Sequence, residues 1–243
     1  MKVAVVTGAS RGIGRATAVA LGAAGWKVAL GYRTDETEAR AAAASIEAAG
    51  GAALPVRLDL LDEASIADAF RVVSDGLGPV TGLVNNAGYS KDGLIVKYAA
   101  ETYDLTMDTN VRGAFLCAQA ALRTMLRARW GRIVNVSSAI AIRANAGQSA
   151  YATSKTALLG LTRALAREVG ARGITVNAVC PGLVETEMTS HLDDAARAFY
   201  VDQTPAGRTA TLDEVAAAVV FLMSDAASYV NGVSLPVDGG LTA

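Results

Sequence analysis

Short β-branched runs alternate with longer Ala- and Leu-rich stretches along the whole chain. The runs at 3–7, 27–32, 53–58, 80–85, 132–136, 174–179 and 233–237 are apolar on successive residues, the pattern of strands buried on both faces. Between them, apolar positions recur at helical spacing over 14–24, 37–49, 65–75, 103–127, 152–169 and 212–224. This alternation predicts an α/β fold, a doubly wound sheet of about seven parallel strands with helices on both faces. No repeat, Pro-rich linker or charge block interrupts the pattern, so 1–243 reads as one domain.

In such sheets, ligands sit beyond the carboxyl ends of the strands. Those ends carry Thr7-Gly8-Ala9-Ser10, Asp59, Asn85-Asn86-Ala87-Gly88, Ser137-Ser138 and Cys180-Pro181-Gly182. The first continues as Arg11-Gly12-Ile13-Gly14 into a helix. Gly8 permits the tight turn, Gly12 lets the backbone approach a pyrophosphate, and Gly14 lets the helix pack on the strand. The helix N-terminus then offers free N–H groups to the anion. About twenty residues on, where NAD sites place a carboxylate for the ribose 2′-hydroxyl, stand Tyr32 and Arg33. Arg33 together with Arg11 suits a 2′-phosphate, because guanidinium binds phosphate in bidentate charged pairs. The expected cofactor is therefore NADPH/NADP+. A competing reading leaves Arg33 a solvated loop charge and gives the acidic role to Asp35. Asp59 is placed to accept from the adenine amino group, with Asn86 and Gly88 on the ribose side.

Composition narrows the class. With 52% hydrophobic and 19% charged residues the chain is core-forming, and at this length it buries roughly three quarters of its unfolded surface. Lys+Arg 22 against Asp+Glu 23 removes the basic footprint of a nucleic-acid binder. No apolar run approaches the ~20 residues of a membrane span. Cys117 and Cys180 lie in apolar stretches as core fillers, and a single histidine, His191, leaves nothing from which to build a His-rich metal site. Residues 1–7 run into the glycine turn without a signal-peptide pattern, so the expected location is cytoplasmic.

Tyr151-Ala152-Thr153-Ser154-Lys155 puts a phenol and an ammonium on one helix face. The ammonium is expected to lower the phenol pKa towards working pH. Ser138 ends the fifth strand, where its hydroxyl can meet a substrate oxygen. Ser137 competes for that role, but strand alternation points only one of the pair at the substrate, and the spacing to Tyr151 favours Ser138.

These motifs, with Asn110, Thr186 and Val237-Asp238-Gly239-Gly240, resemble the short-chain dehydrogenase/reductase superfamily over nearly the whole chain. Within it, Asn135-Val136-Ser137-Ser138, Arg167-Glu168-Val169, Arg172-Gly173-Ile174-Thr175-Val176-Asn177 and Val184-Glu185-Thr186-Glu187-Met188-Thr189 are most similar to 3-oxoacyl-acyl-carrier-protein reductases. The resemblance implies a Rossmann domain that reduces a 3-oxoacyl thioester with NADPH. In it, Tyr151 protonates the carbonyl oxygen, Lys155 holds the nicotinamide ribose and tunes Tyr151, Ser138 stabilises the oxyanion, and Asn110 holds a relay water. It adds Ser10, Ile13, Leu60, Ala87, Pro181, Gly182, Val184 and Thr186 to the cofactor site, and a substrate lid at about 186–208. His191 falls in that lid and reads as a solvated loop residue. The resemblance further implies docking of an acidic acyl-carrier protein at Arg129 and Arg172, and a homotetramer. Tyr89 and Ile142-Arg143-Ala144-Asn145 depart from the family pattern near the pocket. A carrier-bound polyketide or polyene intermediate, or a coenzyme A thioester or small ketone, therefore remains an alternative substrate. A non-catalytic NADP(H) sensor would need none of the Ser138, Tyr151 and Lys155 set.

Overall fold

The computed structural model describes residues 2–190 and 193–243, leaving His191 outside the described residues. Among those residues, seven strands form one sheet in the order β3-β2-β1-β4-β5-β6-β7, parallel throughout. The strands are β1 (Val3–Thr7), β2 (Lys27–Tyr32), β3 (Ala52–Arg57), β4 (Gly82–Asn85), β5 (Gly131–Val136), β6 (Ile174–Pro181) and β7 (Ser234–Val237). The helices are α1 (Gly12–Ala23), α2 (Glu36–Ala48), α3 (Glu63–Gly76), α4 (Ala100–Met107), α5 (Gly113–Ala128), α6 (Ile140–Arg143), α7 (Ser149–Val169), α8 (Asp194–Asp202) and α9 (Leu212–Met223).

The continuous apolar runs follow from burial on two sides. In β1, Val3 and Val5 pack with Phe70 of α3, Met125 of α5 and Leu165 of α7. Its alternate residues Ala4 and Val6 pack with Leu21 of α1, Ile46 of α2 and Leu222 of α9. Asp35 and Asp62 cap α2 and α3, accepting from Glu38 N and Ala64 N. Thr211 and Glu214 close a reciprocal capping box on α9. Helix α1 differs: Arg11 at its N-cap offers no side-chain bond and its first turn holds no acid. Its N–H groups are left for something else.

Three elements depart from the sequence expectation. The stretch 103–127 is not one helix but α4 and α5 separated by a π turn over Asp108–Arg112. The short α6 and the nine-residue α8 carry too few periodic positions to register in a hydrophobic pattern.

Candidate active site

The strand order reverses direction from β1, with β2 on one side and β4 on the other, and a cavity of about 930 Å³ opens at the carboxyl ends there. The cofactor-side residues named from the sequence line it, except Gly14, and so do Ser138, Tyr151 and Lys155. Asn110 stands behind the wall, 1% exposed.

The glycine loop is held by the end of β4. Thr7 Oγ1 accepts from both Asn86 N and Ala87 N at 2.9 Å, and Asn86 Nδ2 donates to the carbonyls of Thr7 (2.9 Å) and Gly8 (3.1 Å). Asn86 thus lines the cavity while both its amide protons strut the loop. Gly8 and Gly12 adopt φ of 63° and 56°, a region that disfavours a side chain. A Cβ on Gly14 would collide with Gly8 O and Asn86 Nδ2, so this glycine sets how closely α1 approaches the strand. The result is a loop with open backbone donors over an uncapped helix terminus, which fits a pyrophosphate.

At the far end of β2, Arg33 is exposed, lines the cavity and makes no ion pair among the described residues. Asp35 is occupied with capping α2 at 3.2 Å, which weighs against its role as a ribose acceptor. Asp59 Oδ1 accepts from Leu61 N at 3.1 Å and holds its own loop. Arg11 pairs with Glu187 at 2.5 Å across the cavity mouth.

The two serines part company at the end of β5. Ser137 is buried and donates to Lys155 O at 2.8 Å, tying the strand to α7. Ser138 faces the cavity and hydrogen-bonds Tyr151. Lys155 is 4% exposed, with Nζ donating to Val136 O at 2.9 Å and lying 5.6 Å from the Tyr151 ring centroid. Here the expected tuning is corrected. Burial pushes the Tyr151 phenol up to about 12, opposed by the Ser138 hydrogen bond and reinforced by the charge of Asp92. Burial also pushes Lys155 down to about 8. The phenol stays protonated at neutral pH because it is desolvated, and the ammonium does not offset this.

Asn110 also differs from expectation. Within the π turn its Oδ1 accepts from Tyr89 N at 2.7 Å, while Nδ2 donates to Tyr89 O and Ser154 Oγ, both at 2.9 Å. The side chain clamps Tyr89 to α7 and leaves no amide proton for a relay water. Gly88, next to this clamp, leaves room for it: a Cβ there would lie 3.3 Å from Lys155 Nζ and 3.4 Å from Asn110 Oδ1. Sequence reasoning missed Tyr89 as the clamped partner, Ser154 as the anchor, and Asp92, which lines the cavity and accepts from Gln148 Nε2 at 3.1 Å. The polar Ser154 inside the Tyr151–Lys155 helical turn was the available signal.

Arg129 and Arg172 are exposed and adjacent, since Gly173 next to Arg172 packs on Arg129 O. They precede β5 and β6, however, and so sit at the amino ends of the strands, opposite the cavity. The six residues of β5 separate the two edges, about 20 Å of extended chain. A carrier docked there does not face this chain's own Tyr151.

Among the described residues no group of His, Cys, Asp and Glu could hold a metal, and no helix is long and apolar enough to cross a membrane. Comparison with known proteins agrees with the fold. A family model described as enoyl-(acyl carrier protein) reductase matches residues 8–242. The 3-oxoacyl-(acyl-carrier-protein) reductase FabG of Pseudomonas aeruginosa is 43% identical over 240 residues, 99% of this chain and 97% of its own. That of Aquifex aeolicus is 41% identical over 243 residues, with coverage of 99% and 97%. A mutant of a Serratia marcescens short-chain dehydrogenase/reductase superposes with a TM-score of 0.95 at 38% identity, covering 100% of this chain and 98% of its own. A blue fluorescent protein from a metagenomic library, solved in complex with NADPH, superposes at 0.93 with 40% identity and coverage of 100% and 98%.

Proposed function

The chain belongs to the short-chain dehydrogenase/reductase family, and on that premise we propose that it reduces a 3-oxoacyl thioester on an acyl-carrier protein to the 3-hydroxyacyl thioester, using NADPH. The observation that carries this reading is the Ser138–Tyr151 hydroxyl pair, aimed into a cavity whose other end is an anion-receptive glycine loop.

NADPH, when bound, supplies the hydride. The glycine loop and the α1 N-terminus would hold its pyrophosphate, Arg11 and Arg33 its 2′-phosphate, and Lys155 its nicotinamide ribose. Ser138 and Tyr151 hydrogen-bond the substrate carbonyl and polarise it. As hydride reaches the carbonyl carbon, Tyr151 Oη gives its proton to the oxygen, and Ser138 stabilises the negative charge in transit. Desolvation keeps that proton on Tyr151 at neutral pH, which suits the reductive direction. Asn110 positions Tyr89 and, through Ser154, the turn of α7 that carries Tyr151.

The position of Arg129 and Arg172 on the opposite edge supports delivery between copies, in which a carrier docked on one chain serves the cavity of another. Half-exposed Phe115 and Tyr103 on α5 and α4, and Gly160 on α7 with open space above it, supply faces for the homotetramer that the family resemblance implies. The reaction is cytoplasmic in this reading, and a polyketide intermediate is the second substrate considered, because it presents the same carbonyl.

The test is NADPH oxidation followed at 3-oxoacyl and 2-enoyl thioesters, each carrier-bound and free. Turnover of the oxo thioesters is expected. Turnover of the enoyl thioesters alone would overturn the proposal and favour the activity named in the matched family model.

A further inference from the structure

The segment after β6 folds back over the glycine loop. Thr189 Oγ1 donates to Val184 O at 2.9 Å and accepts from Thr186 N at 3.0 Å, stitching the strap into a fixed turn. The turn presents two groups to the loop. The Thr186 methyl lies 3.6 Å from where a Gly12 Cβ would be, and the Glu187 carboxylate meets Arg11 Nη1 at 2.5 Å. Arg11, Gly12, Thr186, Glu187 and Thr189 all line the cofactor cavity.

Glu187 is therefore an anion already seated on the guanidinium that the proposed function gives to the 2′-phosphate. One guanidinium face cannot bind both bidentately. Across the mouth, Arg33 carries no such internal anion among the described residues, so the two arginines are not equivalent: one is free, the other is already occupied. We propose that Glu187 sets cofactor selectivity by competing with the 2′-phosphate for Arg11. It lowers NADPH affinity while leaving NADH affinity unchanged, because NADH carries no group that contends for Arg11. The inference rests on the assignment of Arg11 to the 2′-phosphate.

The size of the effect follows from exposure. Both side chains are about two-thirds exposed, 62% and 66%, and ion pairs of this kind are worth at most about a fivefold change in affinity. Binding is measured directly, by cofactor fluorescence or calorimetry without substrate, at low salt. Glu187→Gln is expected to tighten NADPH about two- to fivefold and leave NADH unchanged. In an Arg11→Ala background the same substitution is expected to do nothing, since the contested group is gone.

An unchanged or weakened NADPH affinity in Glu187→Gln, with Arg11→Ala still impairing NADPH, overturns the competition alone. Equal tightening of NADPH and NADH also overturns it, because the carboxylate would then oppose the pyrophosphate common to both. If Arg11→Ala leaves NADPH and NADH discrimination untouched, the assignment of Arg11 falls, and the inference falls with it.

Discussion

Asn110 Nδ2 and Ser154 Oγ are joined by a 2.9 Å hydrogen bond that ties the π turn between α4 and α5 to the helix carrying Tyr151 and Lys155. Ser154 completes the chain by donating to Tyr151 O at 2.8 Å. The position of the proton donor thus depends on a residue that never reaches the cavity.

Asn110→Ala breaks this link and strands the Tyr89 N–H and C=O. The expected cost is about 2 kcal/mol of stability, typical of buried polar groups left unpaired, together with a large fall in kcat. Urea unfolding and steady-state kinetics check both. An unchanged kcat would detach the clamp from catalysis.

Tyr151→Phe removes the proton donor and nothing that holds the cofactor. Turnover should fall by at least a hundredfold, the lower end of what general acid catalysis contributes, with NADPH binding intact. Residual activity above a few per cent would assign the proton to another group.

The pH dependence separates the two buried groups. Lys155, held down to about 8 in the fold against 10.5 when exposed, binds fewer protons folded than unfolded between those values, so stability should rise with pH across that window. The full gain is on the order of 3 kcal/mol. Activity should move the other way above about pH 8, as Lys155 loses its charge while Tyr151, at about 12, keeps its proton. Chemical denaturation at a series of pH values, with Lys155→Met as the flat control, measures the first effect.

Arg33→Asp places a carboxylate where the 2′-phosphate is expected. NADPH affinity should drop by about 2 kcal/mol, the scale of a charge-assisted hydrogen bond, and NADH use should improve. A wild type that prefers NADH would reverse the reading of this edge.

Arg129→Glu with Arg172→Glu should raise KM for a carrier-bound substrate and spare a small β-keto ester. Added salt should reproduce the effect in the wild type, since exposed charges are screened beyond ~8 Å in physiological buffer. Mixing these chains with Tyr151→Phe chains should restore activity if one copy docks the carrier for another. Loss on both substrates would indicate damage to the fold instead.

Much of the fold was legible because strands buried on two faces leave a strong mark. Val3 to Val6 are apolar throughout since alternate residues enter different cores, and a run of that kind leaves little room for another reading. The glycine loop, Ser138, Tyr151 and Lys155 were legible because their spacing is chemical. What stayed hidden was set by tertiary contacts. The π turn does not disturb the apolar pattern. The phenol pKa follows from desolvation by residues far apart in the chain, and so could not be read from the four-residue spacing to Lys155. The docking arginines were legible as charges, but their edge of the sheet was a matter of strand direction.

The π turn has a consequence for how this scaffold tolerates change. Each helical residue advances the chain about 100° around the axis, so the surplus residue in 108–112 offsets the phase of α4 against α5 by that angle. Deleting any one residue of the turn would let an ordinary helix form and would look harmless to a composition profile. It would also swing α4 and its loop about a quarter turn, taking Tyr89 away from Asn110 and opening the substrate wall. At this place in the molecule a single deletion acts as a rotation, and the chain should accept many substitutions there before it accepts any change of length.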